Sequence, residues 1–426
     1  MILLPAALAL VLAAAPAPAL AGGEALTLEE AVSIAVKNSP AALAAEQDII
    51  ITRQRVSEAR FMALPQLALY GGVSRLNLDS PVASGADSGG AVIYPEQGDY
   101  FYQLRAQALQ PLYTGGRNTN ALKLAKTVNG QAKVNFEAAR SAAALEAKKA
   151  FYSLLYHARI RESSSYWLEL ASRLSASLRK DPFEEMESAM LLSALSDRLS
   201  EAAEGLDNAR TDLLKALNRE PGFEVEAEGE FRPLPVDADV SRSLVTAMEA
   251  RPELKSEVYK AQMEDIAVNM ALVRRYPTVF LSASYDLSAY KFASLSESTE
   301  RYGNWLASVG IRFPLSYDIW TQVQQRRAQQ RQGELQRAEL QDNIRFGIIS
   351  AHKDAVARQQ EAARLSGELE RMKAAYETAS RASRPSMSQL RALCSLCGLE
   401  RKYLDAVYKQ LLARIRLEWA QGRDFQ

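Results

Sequence analysis

The two cysteines, Cys394 and Cys397, form the one motif in the sequence whose residue types and spacing indicate chemistry. Two thiols separated by two residues are typical of metal sites and of thiol–disulfide enzymes. A zinc site needs two more ligands, and the histidines of the chain, His157 and His352, lie far from the cysteines in sequence. A thioredoxin-type motif needs a βαβ context, which the sequence does not predict. We therefore interpret the cysteines as small residues on a packed helix face, and a thiol oxidoreductase is the remote alternative.

The rest of the sequence gives little indication of catalysis. It contains no Gly-x-Ser-x-Gly, no phosphate-binding loop and no histidine-rich cluster. Glu184, Glu185 and Glu187 form an acidic cluster that is more typical of a helix N-terminus than of acid–base chemistry. The 51 basic residues balance the 51 acidic residues, which argues against nucleic acid as a partner. We predict a protein that is not an enzyme and uses no cofactor and no metal.

The N-terminal segment predicts export from the cytoplasm. Residues 2–20 are almost wholly apolar, and Ala19, Leu20 and Ala21 fit the small-x-small rule for signal peptidase. We predict a signal peptide over 1–21 and a mature chain that starts near Gly22. After this segment no apolar run approaches the roughly 18 to 20 residues that a membrane helix needs. An exported chain of this kind is periplasmic, secreted or held in the outer membrane by β-strands.

Prolines mark an internal duplication. Four pairs stand at only two offsets, 212 and 203 residues: Pro40 with Pro252, Pro65 with Pro277, Pro111 with Pro314, and Pro182 with Pro385. Proline begins or ends elements because it lacks an N–H and fixes φ, so the pairs indicate the same boundaries in both copies. We predict two tandem structural repeats over 22–220 and 239–422, with a linker at 221–238 and a tail at 423–426.

Each repeat contains a long helical stretch. Apolar residues between positions 121 and 158 recur at steps of three and four with an 11-residue period, which is helical. The predicted long helices cover about 116–181 and 316–382, and the return helices cover 183–219 and 386–421. A helix of 65 residues is a rod of roughly 100 Å, which needs partner helices along its length. An extended coiled coil or helical spacer is the alternative interpretation.

Four shorter segments alternate between apolar and polar residues. They cover about 66–75, 100–110, 278–287 and 302–313, and this alternation is typical of membrane barrel strands with one face toward lipid and one toward a lumen. Leu281 and Val309 fall on the predicted lipid face. The predicted lumen residues are Gln103, Arg105, Gln107, Ser282, Ser284 and Asp286. A small soluble sheet packed on the helices is the alternative.

The number of strands predicts an oligomer. Four strands cannot close a barrel, because about eight is the practical minimum. Open sheet edges are not tolerated in lipid, so strands from several copies must join if these segments span a membrane. A trimer would contribute twelve strands.

The order of short motifs resembles the TolC family of outer-membrane efflux proteins. The motifs are LTLEEA at 26–31, NSP at 38–40, LPQL at 64–67 and PLYTGGR at 111–117, and the resemblance covers 26–422. It implies a mostly α fold with a membrane β-barrel, in which a homotrimer forms a 12-stranded β-barrel continued by a periplasmic α-helical barrel.

The resemblance also implies a function. It is that of the exit duct of a tripartite efflux pump or a type I secretion system, which exports small molecules or proteins passively. The implied partners are a periplasmic adaptor protein, an inner-membrane transporter and outer-membrane lipid. The implied location is the cell outer membrane, with a large periplasmic part. A periplasmic structural spacer without a pore is the alternative.

Some members of that family close the periplasmic end with a Tyr, a Gly and an Arg, followed by two aspartates. Tyr376, Ala379 and Arg381 stand at the spacing of the first three residues, but Pro385 and Ser388 replace the aspartates. At these positions the sequence therefore shows no equivalent of the anionic ring that binds cations in those relatives.

Asp181, beside Pro182, is the candidate salt partner of Arg381 in such a gate. An exposed pair of this kind is worth about 1 kcal/mol or less. The resemblance further implies that the adaptor contacts the helical tips, here Arg179, Lys180, Asp181 and Arg384.

Overall fold

A computed structural model describes residues 24–75, 100–178, 181–237, 239–289, 291–298, 301–315, 317–382 and 384–423. The predicted signal peptide, the tip residues Arg179 and Lys180, and residues 424–426 of the predicted tail lie outside these ranges. Among the described residues none of the helices combines the length and the apolar character needed to cross a lipid bilayer.

The described chain alternates long helices with short sheet segments. The helices are α1 (Leu28–Asn38), α2 (Pro40–Phe61), α3 (Arg117–Ser177), α4 (Pro182–Ala216), α5 (Val240–Ala250), α6 (Pro252–Val273), α7 (Ile319–Ala382) and α8 (Met387–Ala420). The strands are β1 (Glu24–Leu26), β2 (Gln66–Arg75), β3 (Tyr100–Tyr113), β4 (Val225–Ala227), β5 (Thr278–Ala289) and β6 (Tyr302–Arg312). A 3₁₀ turn, Ala293–Leu295, follows β5.

Local sequence sets the helix boundaries. Pro40 and Pro252 are the first residues of α2 and α6, where the missing N–H is not needed for the helix. Thr27 forms a capping box with Glu30 at the start of α1. Asp181 forms a capping box with Glu184 at the start of α4. In both helices side chains therefore accept hydrogen bonds from backbone N–H groups that have no partner within the helix.

The described residues form two compact units, and each unit takes segments from both predicted repeats. The first unit contains the described parts of Met1–Pro40, Arg140–Leu244 and Ile348–Gln426. The second unit contains the described parts of Ala41–Ala139 and Val245–Gly347. The long helices α3 and α7 therefore contribute residues to both units, and the compact units do not follow the order of the chain.

The second unit holds a four-stranded antiparallel sheet in the order β2-β3-β5-β6. β2 spans 66–75, the same range as the prediction, and β5 and β6 differ from their predicted ranges by one or two residues at one end. β3 is longer than the predicted 100–110 because it continues through Pro111 to Tyr113. Pro111 lies past the end of β2, and the register with β5 shifts between Pro111 and Tyr113, so its missing N–H interrupts little pairing.

The main core of the first unit lies between helices. Phe151 and Leu154 of α3 pack in one cluster with Leu213 of α4 and Leu411 of α8, all nearly inaccessible to water. Burying a side chain of this size stabilises a fold by about 1.5–3 kcal/mol. A second cluster, the Trp167 cluster, contains Trp167, Ala171, Leu195, Met387, Leu390, Leu393, Leu396 and Cys397.

A close contact between α3 and α4 requires a glycine. A Cβ atom added to Gly205 of α4 would lie 2.5 Å from Nδ1 of His157 on α3. Real Cβ atoms do not approach other atoms so closely, so the side chain of His157 occupies the space that any larger residue at position 205 would need. His157 packs edge-on against Tyr156, and burial lowers the pKa of its imidazole.

The segment predicted as a linker contains a strand that the sequence did not indicate. β4 pairs in parallel with β1, with Ala25 opposite Glu226. Further along, the fully buried amide of Gln410 accepts the N–H of Leu234 at 3.3 Å and donates to its carbonyl at 2.5 Å. His352 bonds the carbonyl of Asp237 at 2.8 Å. The segment is thus tied to α7 and α8 by side chains.

Candidate functional site

The sheet of the second unit places all the predicted lumen residues on one face. On β3 and β5, Gln107 stands opposite Ser284 and Arg105 stands opposite Asp286. Directly opposed residues of an antiparallel pair project to the same side, and residues two apart along a strand share that side. Gln103 and Ser282 therefore lie on the same face, which we call the polar face.

An ion pair crosses the polar face. Nε of Arg105 donates a hydrogen bond to Oδ1 of Asp286, and Nε2 of Gln103 donates to the same oxygen at 3.5 Å. The Arg105 side chain is 46 % exposed and the Asp286 side chain 21 %. On the outer strands, Tyr70 of β2 stands opposite Arg105 and Asn304 of β6 stands opposite Asp286, so these four residues form one row across the sheet. A second polar contact joins the hydroxyls of Ser282 and Ser308 at 2.8 Å.

The opposite side of the sheet, which we call the apolar face, is covered with hydrophobic side chains that are open to the surroundings. Leu67 is 80 % exposed and Trp305 78 %. Other exposed members are Leu69, Val73, Leu104, Leu281, Tyr285, Val309 and Ile311. Isolated exposed apolar residues are ordinary, but a contiguous exposed patch of this kind indicates a surface that meets a partner or a membrane.

Comparisons with known proteins find this fold in solved structures. No protein-family model matches the sequence, and no curated protein is significantly similar to it. The crystal structure of the Campylobacter jejuni CmeC outer membrane channel matches with a TM-score of 0.77 at 15 % identity, over 94 % of this chain and 86 % of that one. The outer membrane protein VceC from Vibrio cholerae matches with a TM-score of 0.76 at 16 % identity, over 94 % of this chain and 97 % of that one.

A third solved structure is the open state of the Neisseria gonorrhoeae MtrE outer membrane channel, with a TM-score of 0.76 at 17 % identity, over 94 % of this chain and 90 % of that one. The chain has the fold of these outer membrane channels. The resemblance to the TolC family that the sequence motifs indicated is confirmed at the level of the fold, as is the predicted mostly α character with its paired strands.

In this channel fold the gate candidates lie at the ends of α7 and α4. Tyr376 is half-buried against the Trp167 cluster, and burial raises the pKa of its phenol, with Cys394 acting in the same direction and Gln389 against it. Arg381 is 84 % exposed, and its ion pair is with Glu377 of the same helix, 3.8 Å away. Asp181 instead accepts the N–H of Glu184 at 2.8 Å as the cap of α4. The structure thus gives Arg381 and Asp181 different partners.

Glu400 is a partly buried polar centre that the sequence analysis did not single out. Its carboxylate on α8 accepts hydrogen bonds from Ser163 Oγ at 2.9 Å, from Lys373 Nζ at 2.7 Å and from Trp167 Nε1. Burial raises the pKa of Glu400, but the bonds from Lys373, Trp167 and Ser163 outweigh burial and hold that pKa below its usual value. Glu400 therefore ties α3, α7 and α8 together inside the first unit. A lone glutamate in an amphipathic helix gives no sequence signal of such a role.

The two cysteines lie among packed hydrophobic side chains. Cys397 is buried in the Trp167 cluster and Cys394 is half-buried beside it, and neither is bridged. Burial raises the pKa of both thiols, and the guanidinium of Arg198, 4.0 Å from the Cys397 sulfur, acts in the opposite direction. A raised pKa disfavours the thiolate, which is the reactive form. Within the described part of the chain, no three His, Cys, Asp or Glu residues form a group that could hold a metal ion.

Proposed function

We propose that this protein is the outer-membrane exit channel of an efflux pump or of a type I secretion system, through which small molecules or proteins pass without being chemically changed. The fold shared with outer membrane channels supports this proposal. The observation that carries it within the chain itself is the four-stranded antiparallel sheet with one polar face and one exposed apolar face. Such a sheet is suited to a position with lipid against its apolar face and water against its polar face.

The working form in this proposal is a homotrimer. β2 and β6 are the edges of the sheet, and edge strands carry unpaired backbone groups that are costly in a membrane. If β6 of one copy pairs with β2 of the next, three copies form a closed barrel of twelve strands. The alternation of strand direction continues across such a junction, because each copy contributes an even number of antiparallel strands.

The experiment is a measurement of oligomeric mass and conductance. We expect the protein to be recovered from outer-membrane fractions, to require detergent, to have the native mass of three chains and to conduct ions in planar bilayers. A water-soluble monomer without conductance would overturn the proposal and favour the alternative, a periplasmic spacer without a pore.

The partners in this proposal are a periplasmic adaptor protein and an inner-membrane transporter that supplies energy. The adaptor would contact the helical tips, where the exposed Arg384 and the capping residue Asp181 lie. A photo-crosslinking residue at Arg384 should capture the adaptor in whole cells. The same residue at Arg364 of α7 is the control and should not, because position 364 lies about five helical turns before the tip. Equal capture from both positions would contradict tip docking.

A further inference from the structure

We infer that the Arg105–Asp286 pair keeps the channel weakly selective between cations and anions at the level of the sheet. Each carboxylate neutralises the guanidinium beside it, so that removing either partner leaves one uncompensated charge per copy facing the pathway. The inference rests on the proposed trimeric channel, in which three copies of the pair surround one lumen.

The geometry favours neutralisation of the two charges within each chain. The two residues are directly opposed on β3 and β5, and their side chains are hydrogen-bonded. Asp286 is held from a second direction by the amide of Gln103. Two partly exposed opposite charges in contact produce a small dipole instead of a net field, so a passing ion of either sign meets little repulsion there.

Few other charges lie on the polar face. Among the described residues of the four strands, the face carries one further charged side chain, Arg312, which stands opposite Thr278 at the far end of the sheet. Arg312 is eight residues along β6 from Asn304, which corresponds to about 27 Å. This exceeds the Debye length of ~10 Å at 0.1 M salt, so at that ionic strength Arg312 contributes little to the field at Asp286. At lower salt its field reaches further, but Arg312 is present in every variant compared and cannot cause a difference between them.

The test compares single and double variants of the pair. We expect Asp286→Asn to shift the K⁺/Cl⁻ permeability ratio toward chloride and Arg105→Gln to shift it toward potassium. We expect each shift to be about twofold or more at ~0.01 M salt and smaller at ~0.1 M, because the screening length falls from ~30 Å to ~10 Å. The double variant, which is neutral again, should return to the parent ratio. Ser284→Asn, a change on the same face without charge, should leave the ratio unchanged.

A second test measures the charge at the pair directly, by the rate at which a nearby thiol is modified, in case another part of the channel determines the permeability ratio. Asn304→Cys, in a Cys394→Ser and Cys397→Ser background, places a reactive thiol on the strand beside Asp286. We expect Asp286→Asn to raise the rate of modification by an anionic methanethiosulfonate relative to a cationic one, and Arg105→Gln to lower it.

The outcomes separate the two proposals. A parent protein without conductance overturns the proposed channel and this inference with it. If the parent conducts but neither the permeability ratio nor the modification ratio changes in the single variants, the inference alone is overturned. Opposite shifts in the two single variants, reversed in the double variant, support it.

Discussion

Leu281 and Val309 stand directly opposite each other on β5 and β6, and both side chains lie on the exposed apolar face of the sheet. Neighbouring Ser282 and Ser308 also form an opposed pair, but on the polar face, where their hydroxyls share a hydrogen bond. One residue step along each strand therefore separates two chemically opposite environments. This arrangement provides a matched pair of positions for testing which face meets lipid.

We predict that Val309→Asp prevents outer-membrane assembly and that Ser308→Asp does not. A charged side chain on the lipid face costs up to about 2–4 kcal/mol per chain at the bilayer midplane, somewhat less for a carboxylate, whereas a charge toward the lumen is hydrated. Leu281→Asp should behave as Val309→Asp. The measurement is the yield of trimer in outer-membrane fractions. Equal yields of the position 308 and position 309 variants would count against a lipid-facing apolar side.

We predict that Gly205→Ala destabilises the protein, because its new methyl group would overlap the ring of His157. Overpacking of this kind costs about 1–3 kcal/mol, which outweighs the ~0.5–1 kcal/mol that alanine gains over glycine in a helix. Thermal unfolding followed by circular dichroism in detergent measures the change.

Two controls accompany this prediction. Gly398→Ala on α8 meets no other atom within 4 Å and should stabilise the protein slightly. In a His157→Ala background, Gly205→Ala should also become stabilising. If Gly205→Ala and Gly398→Ala have the same effect on the unfolding temperature, the close contact is not what position 205 requires.

We predict that Glu400→Gln lowers stability by about 1–3 kcal/mol at neutral pH, because Lys373 loses its anionic partner and Trp167 and Ser163 lose a charged acceptor. Glu368→Gln is the control, because Glu368 pairs with Arg364 on the surface of α7. Such exposed pairs within one helix are worth about 0.3–0.5 kcal/mol.

The effect of Glu400 should depend on pH in a defined direction. Its pKa is lowered in the folded protein relative to an ordinary glutamate, whose pKa is about 4.3 in an unfolded chain. The carboxylate thus contributes stability that is fully present above the unfolded-state pKa and is lost as the pH falls through the lower folded-state pKa. The difference in unfolding temperature between parent and Glu400→Gln should shrink below about pH 4. A difference that does not change with pH would exclude the charge of Glu400 as its cause.

We predict that Arg381→Ala makes the channel leakier while leaving its unfolding temperature nearly unchanged. Arg381 and Glu377 form an exposed pair within one helix, which contributes little to stability. Any effect on conductance would then come from the position of the charge at the tip. Arg364→Ala removes a comparable pair far from the tip and is the control. Equal single-channel conductance in Arg381→Ala and the parent would remove Arg381 from the gate.

The sequence predicted most of the elements because local signals mark them. The prolines at 40 and 252 stand where α2 and α6 begin, and period-two alternation gave the strand at 66–75 its bounds. Alternation also identified which residues of β3 and β5 share a face, since register in a sheet follows from the pattern of side chains. The extension of β3 through Pro111 was missed because proline ordinarily ends a strand. Here Pro111 lies past the end of β2, and the register with β5 shifts between Pro111 and Tyr113.

The contacts that depend on distant parts of the chain could not be predicted. β1 and β4 are three residues each and are separated by about 200 residues, so neither shows a usable pattern. The Glu400 centre joins a residue of α8 to two partners on α3 and one on α7, which are far apart in the sequence. The pairing of Arg381 with Asp181 was inferred from the predicted place of Asp181 at a helical tip. Within one chain the ion-pair partner of Arg381 is Glu377, four residues earlier on the same helix.

β3 is paired on both sides, with β2 along one edge and β5 along the other. Inserting a single residue at its centre would turn Gln103 and Arg105 to the apolar face and Leu104 to the polar face, and neither neighbouring strand could follow without breaking its own pairing. Side chains of this strand can therefore be exchanged one by one, but a change of length at its centre must come in steps of two or be absorbed by a bulge such as the one after Pro111. Related channels that differ in length should carry their insertions and deletions outside the middle of β3.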